Sequence, residues 1–195
     1  DGVFMFVICD IKNNILYSSR DPFGVRPGFI GYDEKDVYIS SEAKPLTKLC
    51  TKVIPFKPGH WWSSNNNKFN RYYYLEFKNN TNDIDLIYNN INHLLKEAVL
   101  KRLMSDRKIG CLLSGGLDSS LIASIVAREY NDTKIETFSI GMKGSVDLKY
   151  ANDVAKHIDS NHHNVEISED EFLNTIEEVI YKIESYDITT VRASV

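Results

Sequence analysis

Ser114-Gly115-Gly116-Leu117-Asp118-Ser119-Ser120 is the stretch of this 195-residue chain whose residue types and spacing could do chemistry. Two adjacent glycines let backbone N–H groups approach an anion closely, and three hydroxyls can add hydrogen bonds. The N-terminus of the helix that follows the run would present unpaired N–H groups and a favourable dipole to the same ligand. A polyphosphate suits that set of donors. A tight turn with Ser119 or Asp118 as helix cap accounts for Ser-Gly-Gly equally well. Asp118 weighs against the plain turn, because a carboxylate beside phosphate is repulsive unless a cation intervenes. Mg²⁺ bridging carboxylate and phosphate oxygens is the usual remedy. The run lacks a Gly-Lys-Ser/Thr ending, so it is not a Walker-type loop.

The elements around it must hold it in place. An apolar stretch, 109–113, precedes the loop and a helical stretch, 121–130, follows, which reads as strand, loop, helix. Ile84, Ile87, Ile91, Leu94, Leu95, Ala98 and Leu103 recur at helical spacing before it. After it come a strand at 135–141, a helix at 147–158, a strand at 164–167 and a helix at 169–185 opened by a Ser168/Glu171 capping box. Strands alternating with helices imply parallel βαβ units with right-handed crossovers. In such sheets ligands sit at the carboxyl ends of strands, which places the backbone of Leu112 and Ile140 where an adenine edge could be read. The plainer reading is that Leu112 and Ile140 fill the core.

The first half has a different period. Short β-branched and aromatic runs at 3–9, 15–19, 29–32 and 37–41 predict strands, and 42–49 predicts a short helix. Pro55, Pro58 and Gly59 then interrupt regular structure. Asparagine runs around Tyr72-Tyr73-Tyr74 predict a linker over 63–82, which divides the chain into 1–62 and 83–195. The fold class is therefore α/β and α+β in two domains.

A net charge of −4 without a basic cluster argues against a general nucleic-acid or membrane-surface role. No apolar run reaches bilayer-spanning length. Cys9, Cys50 and Cys111 are odd in number and lack a C-x-x-C pair, so neither a disulfide framework nor a zinc site is indicated, and the reducing cytoplasm is the expected compartment. His162 and His163 are adjacent, so on a strand they point to opposite faces and cannot share one ion. Entry into the 164–167 strand is their expected role, and Cys9 reads as a buried structural thiol.

Ser114-Gly115-Gly116-Leu117-Asp118-Ser119 resembles the pyrophosphate loop of the ATP pyrophosphatases. Taken with both halves, the chain resembles the glutamine-hydrolysing asparagine synthetases along nearly its whole length. Asp1-Gly2-Val3-Phe4-Met5-Phe6, Arg20-Asp21-Pro22-Phe23-Gly24-Val25-Arg26-Pro27, Ser40-Ser41-Glu42-Ala43-Lys44 and Pro58-Gly59 look like the rear part of a class II, Ntn-type glutamine amidotransferase domain with antiparallel strands. Residues 83–195 look like the front part of a doubly wound ATP pyrophosphatase domain.

The resemblance implies a ligase that amidates aspartate through a β-aspartyl-adenylate, using ATP, Mg²⁺ and glutamine-derived ammonia and releasing AMP, pyrophosphate and glutamate. It implies that Ser114, Gly115, Gly116, Ser119 and Ser120 hold pyrophosphate, that Asp118 holds Mg²⁺, and that Leu112 and Ile140 contact adenine. Glu184-Ser185-Tyr186-Asp187-Ile188-Thr189-Thr190-Val191-Arg192-Ala193-Ser194 resembles the segment lining the aspartyl-adenylate site. There Thr189, Thr190 and Arg192 would meet the intermediate or pyrophosphate; a guanidinium fork and two hydroxyls suit such oxygens. Asp21 would hold the amino group of glutamine, against the alternative of a turn residue before Pro22. Aspartate and glutamine are the implied small-molecule partners and a homodimer the implied assembly, without nucleic acid or membrane.

Departures from the family's pattern set further expectations. The family's amidotransferase nucleophile is an N-terminal cysteine, and this sequence begins with Asp1. None of the family's nucleophile or base residues is present, so the chain is expected to be a partial sequence, inactive alone. The alternatives are another adenylating amidotransferase, such as a β-lactam synthetase, and a non-catalytic nucleotide-binding descendant.

Overall fold

The computed structural model of the chain describes residues 2–77, 82–130 and 134–194, with the side chains of Arg192 and Ala193 outside that description. Two compact units are present: the first half together with Ile180–Arg192, and the chain from 82 to 179.

Alternation of apolar and polar residues builds the first unit from two antiparallel sheets. One has the order β1 (Met5–Asp10), β2 (Ile15–Arg20), β6 (His60–Ser63), β7 (Lys68–Arg71). The other has the order β4 (Val37–Ser40), β3 (Phe29–Tyr32), β5 (Lys52–Pro55), and the short helix α1 (Lys44–Thr47) follows β4. Ile30, Phe56 and Trp62 are fully buried and gather Met5, Leu16, Ile39, Ile54 and Phe69 from both sheets into one core.

Three strands here lie outside the expected ones. β5 ends at Pro55, which has no N–H to donate and is tolerated because the strand is an edge of its sheet. β6 and β7 form a hairpin, with Trp62↔Phe69 as a cross-strand pair. Residues 63–71 of the expected linker thus hold the end of β6, a turn and β7, while 78–81 of that stretch lie outside the described residues. Asn67 makes the turn: its φ of 51° is one asparagine tolerates, and its side-chain oxygen accepts the Trp62 indole N–H at 3.0 Å. Cys9, expected to be buried, is exposed on β1.

The second unit is α/β. Helix α2 (Ile84–Leu100) is capped by Asp83, whose carboxylate accepts N–H groups of Asp85 and Leu86. Its apolar face is only partly covered: Val99 is buried, whereas Ile91 and Leu94 are more than half exposed. The sheet is parallel, with the order β10 (Asn161–Ile167), β9 (Glu136–Met142), β8 (Gly110–Leu112). Helix α3 (Leu117–Glu129) links β8 to β9 and α4 (Val146–His157) links β9 to β10. Leu113, Ala123, Ala151 and Ala155 form the core beneath them, small residues that let helices approach closely. Strand order advances in one direction among the described residues. Ser168 and Glu171 make the expected reciprocal box: the Glu171 carboxylate accepts the Ser168 N–H at 2.8 Å, and Ser168 Oγ accepts the Glu171 N–H at 3.2 Å. Helix α5 (Glu169–Ile183) follows, and then α6 (Ile188–Ser194). Among the described residues no helix is long and apolar enough to cross a membrane.

Candidate functional site

The serine loop lies where β8 ends and α3 begins. Gly115 has φ +79°, and a Cβ there would stand 2.6 Å from the Ala151 nitrogen and 2.7 Å from the Tyr150 Cβ. Close packing on α4 therefore demands glycine at 115. Gly116 is different: it is the N-cap of α3, extended at φ −73°, and an added Cβ would meet only Ser114 Oγ, at 3.4 Å. No side chain caps α3, and its first internal bond in this region is Ser120 N–H to the Gly116 carbonyl, at 3.1 Å. The N–H groups of the first turn are thus left for an outside acceptor.

The hydroxyls are held around these donors. Ser114 Oγ and Ser119 Oγ are 2.9 Å apart, Ser119 Oγ accepts the Ser114 N–H at 3.2 Å, and the Ser120 hydroxyl donates to the Gly116 carbonyl at 2.7 Å. Asp118 is exposed in the first turn of α3. Among the described residues no cluster of three or more histidine, cysteine or carboxylate side chains could hold a metal ion. A cation at Asp118 would draw its remaining ligands from phosphate oxygens and water, which is how Mg²⁺ is commonly bound.

Leu112 and Ile140 are not core residues. They are 83% and 59% exposed, on the face of the sheet that also carries Phe138, Met142 and Val165. Among the described residues, helices cover the opposite face, with Cys111, Thr137 and Ser139. The sequence read them as apolar and hence as core; periodicity cannot tell which face of a parallel strand receives a helix.

Thr189 and Thr190 belong to the first unit and the 114–120 loop to the second. Asp187 caps α6: its Oδ2 accepts both the N–H and the hydroxyl of Thr190, each at 2.9 Å. The Thr190 N–H heads the causes that hold the Asp187 carboxyl below the usual carboxylate range. Thr190 is therefore engaged in building the helix end, and Thr189 beside it is exposed. The Arg192 side chain lies outside the described residues.

Upstream of that cap, Glu184 reaches α1, a contact that no local signal marks. Its carboxylate accepts the Ala43 N–H at 2.7 Å and the Lys44 N–H at 2.6 Å, with Lys44 Nζ 3.2 Å away. Burial alone would raise its pKa, but these partners together hold it below the usual range.

Asp21 lies in the turn after β2. It is 1% exposed, and its carboxylate accepts N–H groups of Phe23, Val25 and Arg26 at 3.0 to 3.1 Å. Burial opposes ionisation here, yet the three donors hold the carboxyl below its ordinary range. The Arg20 guanidinium completes the loop by donating to the carbonyls of Arg26, Phe56 and Gly24. Asp21 organises this turn from within and is enclosed by its own loop. Asp21→Ala is expected to destabilise the first unit by about 3 kcal/mol, read in urea unfolding, because buried donors lose their acceptor. Since the folded pKa is depressed, the stabilisation is present above the unfolded carboxylate value and is lost as pH falls through the folded one.

His162 and His163 stand inside β10 rather than at its entry. They do point to opposite faces: His162 meets Thr137 Oγ1 at 2.8 Å and Asn164 Oδ1 at 2.8 Å, while His163 stacks on Phe138 and pairs with Glu136 at 2.6 Å.

The model of the asparagine synthase family matches residues 90–195, and that of the glutamine amidotransferase domain matches residues 1–108. The chain is 41% identical along its whole length to a glutamine-hydrolyzing asparagine synthetase of Zea mays, covering 35% of that protein. It is also 41% identical to the corresponding Gallus gallus protein, covering 40% of it, and 40% identical to that of Sandersonia aurantiaca, covering 39%. The chain thus spans well under half the length of the curated relatives it matches. With both halves matched in this order, the chain belongs to the asparagine synthase family and carries a glutamine amidotransferase domain ahead of its synthase portion.

Proposed function

We propose that this chain is the ATP-handling part of a glutamine-dependent asparagine synthetase, a ligase that forms the amide of aspartate through a β-aspartyl-adenylate. The single observation that carries the reading is the 114–120 loop: Gly115 is pinned against α4, while the uncapped first turn of α3 stays open to an anion.

In the proposed reaction the aspartate side-chain carboxylate attacks the α-phosphorus of ATP, pyrophosphate leaves, and ammonia derived from glutamine displaces AMP. Backbone N–H groups of Gly115 and Gly116, together with the hydroxyls of Ser114, Ser119 and Ser120, hold the leaving pyrophosphate and stabilise the charge that develops on it. The Ser114 and Ser119 hydroxyls are bonded to each other and the Ser120 hydroxyl to the Gly116 carbonyl, so they are preorganised for that exchange. Asp118 is the residue that would hold Mg²⁺, which when bound neutralises phosphate charge. Backbone groups of Leu112 and Ile140 read adenine beside the exposed apolar face, and Thr189 with Arg192 lines the acyl-adenylate. The synthase portion is of the doubly wound ATP pyrophosphatase type, the amidotransferase portion is Ntn-type, and the assembly is a cytoplasmic homodimer.

Pyrophosphate release from MgATP by the full-length protein that carries this chain tests the reaction. It is expected to rise with added aspartate and to stay at background with glutamate or asparagine in its place. Release independent of aspartate would remove the assignment.

A further inference from the structure

Residues 181–184, the last turn and end of helix α5, belong to the first unit, where they and helix α1 cap each other. The Glu184 carboxylate takes both free N–H groups at the start of α1, those of Ala43 and Lys44. In return the Lys44 ammonium donates to the carbonyls of Tyr181 and Lys182 in the last turn of α5, at 3.3 and 3.4 Å, and lies 5.2 Å from the centre of the Tyr181 ring. Glu42 pairs with the same ammonium at 3.3 Å. These contacts join positions 140 residues apart in the chain.

The backbone at this junction is unusual. Glu184 has φ +55°, a left-handed conformation at the helix end where glycine or asparagine is the common choice. A glycine would end α5 with less strain, so a full side chain held there is explained by what its carboxylate does. From Glu184 the chain runs directly into Ser185, whose hydroxyl accepts the Asp187 N–H at 3.2 Å, and Asp187 in turn holds Thr190.

We propose that Glu184 and Lys44 are positioning residues: their reciprocal cap fixes the origin of the 185–190 segment, so that presentation of Thr189 to its ligand depends on α1 of the amidotransferase unit. The role of Thr189 rests on the function proposed above; the clamp does not. Replacement by glutamine puts an NH₂ group opposite one of two N–H donors and leaves half the cap. Glu184→Gly removes the carboxylate and relieves the left-handed strain, so the end of α5 survives.

Amide hydrogen exchange on the whole chain decides the clamp. In E184G and E184Q, protection of Ala43, Lys44 and residues 186–190 is expected to fall about tenfold or more, the scale of hydrogen bonds to a charged group, with less loss in K44M. A plain helix-end role predicts the reverse, since glycine suits that position; unchanged or increased protection in E184G overturns the proposal. The second readout is turnover of the full-length protein that carries this chain: the aspartate KM of E184G is expected to rise about tenfold with kcat changed less than about threefold, and Glu184→Asp to recover part of the loss. A fall in kcat alone, with KM unmoved, would also overturn it. Wild-type turnover that ignores aspartate removes the reading of Thr189, and the exchange data still judge the clamp.

Discussion

Gly115→Ala is expected to destabilise the 82–179 unit by about 3 kcal/mol or more, whereas Gly116→Ala leaves stability within about 1 kcal/mol. The two glycines are neighbours in sequence and opposites in cause. At 115 the left-handed φ costs any L side chain energy, and a Cβ would press on the Ala151 nitrogen and the Asp147 carbonyl, backbone atoms of α4 that cannot step aside. At 116 the backbone is ordinary extended chain, and the nearest atom to a new Cβ is a serine hydroxyl at van der Waals distance. The ligand response should be reversed. Gly116→Ala puts a methyl group where an anion must approach the N–H groups of α3, so its ATP affinity falls at least about tenfold while its thermal unfolding matches wild type. Calorimetric unfolding and nucleotide titration on the same two variants separate these roles. A Gly116→Ala protein that binds ATP as well as wild type would show that the phosphates lie elsewhere.

What the sequence made legible follows from which signals are local. The strand, loop and helix around Ser114, the Ser168/Glu171 box and the parallel β8–β9–β10 succession each rest on neighbours within a few residues, and each is present. The β6–β7 hairpin was hidden because Asn65-Asn66-Asn67 reads as solvated loop, although Asn67 is a turn residue bonded to the Trp62 indole. Exposure of Leu112 and Ile140 was hidden for another reason: an apolar strand residue records that a face is apolar and leaves unsaid what covers it. The bonds of Asp21 to its own loop were hidden because a carboxylate before a proline carries no mark of what it faces. Glu184 gave no signal at all, since its partners are Ala43 and Lys44, and only tertiary structure brings them to it.

Asp118→Asn should change the sign of its effect with the metal. Asp118 is exposed, and its carboxylate in the first turn of α3 adds only a small favourable interaction with the helix dipole, so the asparagine variant should fold normally. Without Mg²⁺, the aspartate charge repels the phosphates of ATP. Two like charges about 4 to 5 Å apart at a hydrated surface repel by about 1 kcal/mol, so the variant is expected to bind metal-free ATP about fivefold more tightly than wild type. With Mg²⁺, the same carboxylate becomes a ligand, and its loss should weaken binding about tenfold or more and slow aspartate-dependent pyrophosphate release by about 10²- to 10³-fold. Titrations of both proteins with ATP, in chelator and then in Mg²⁺, give four affinities whose crossing identifies a cation between Asp118 and phosphate. Were Asp118 only a helix-capping charge, both affinities would move together and by less than about threefold. A variant that binds more weakly under both conditions would instead make Asp118 a direct polar contact, and the Mg²⁺ assignment would fail while the loop remained the nucleotide site.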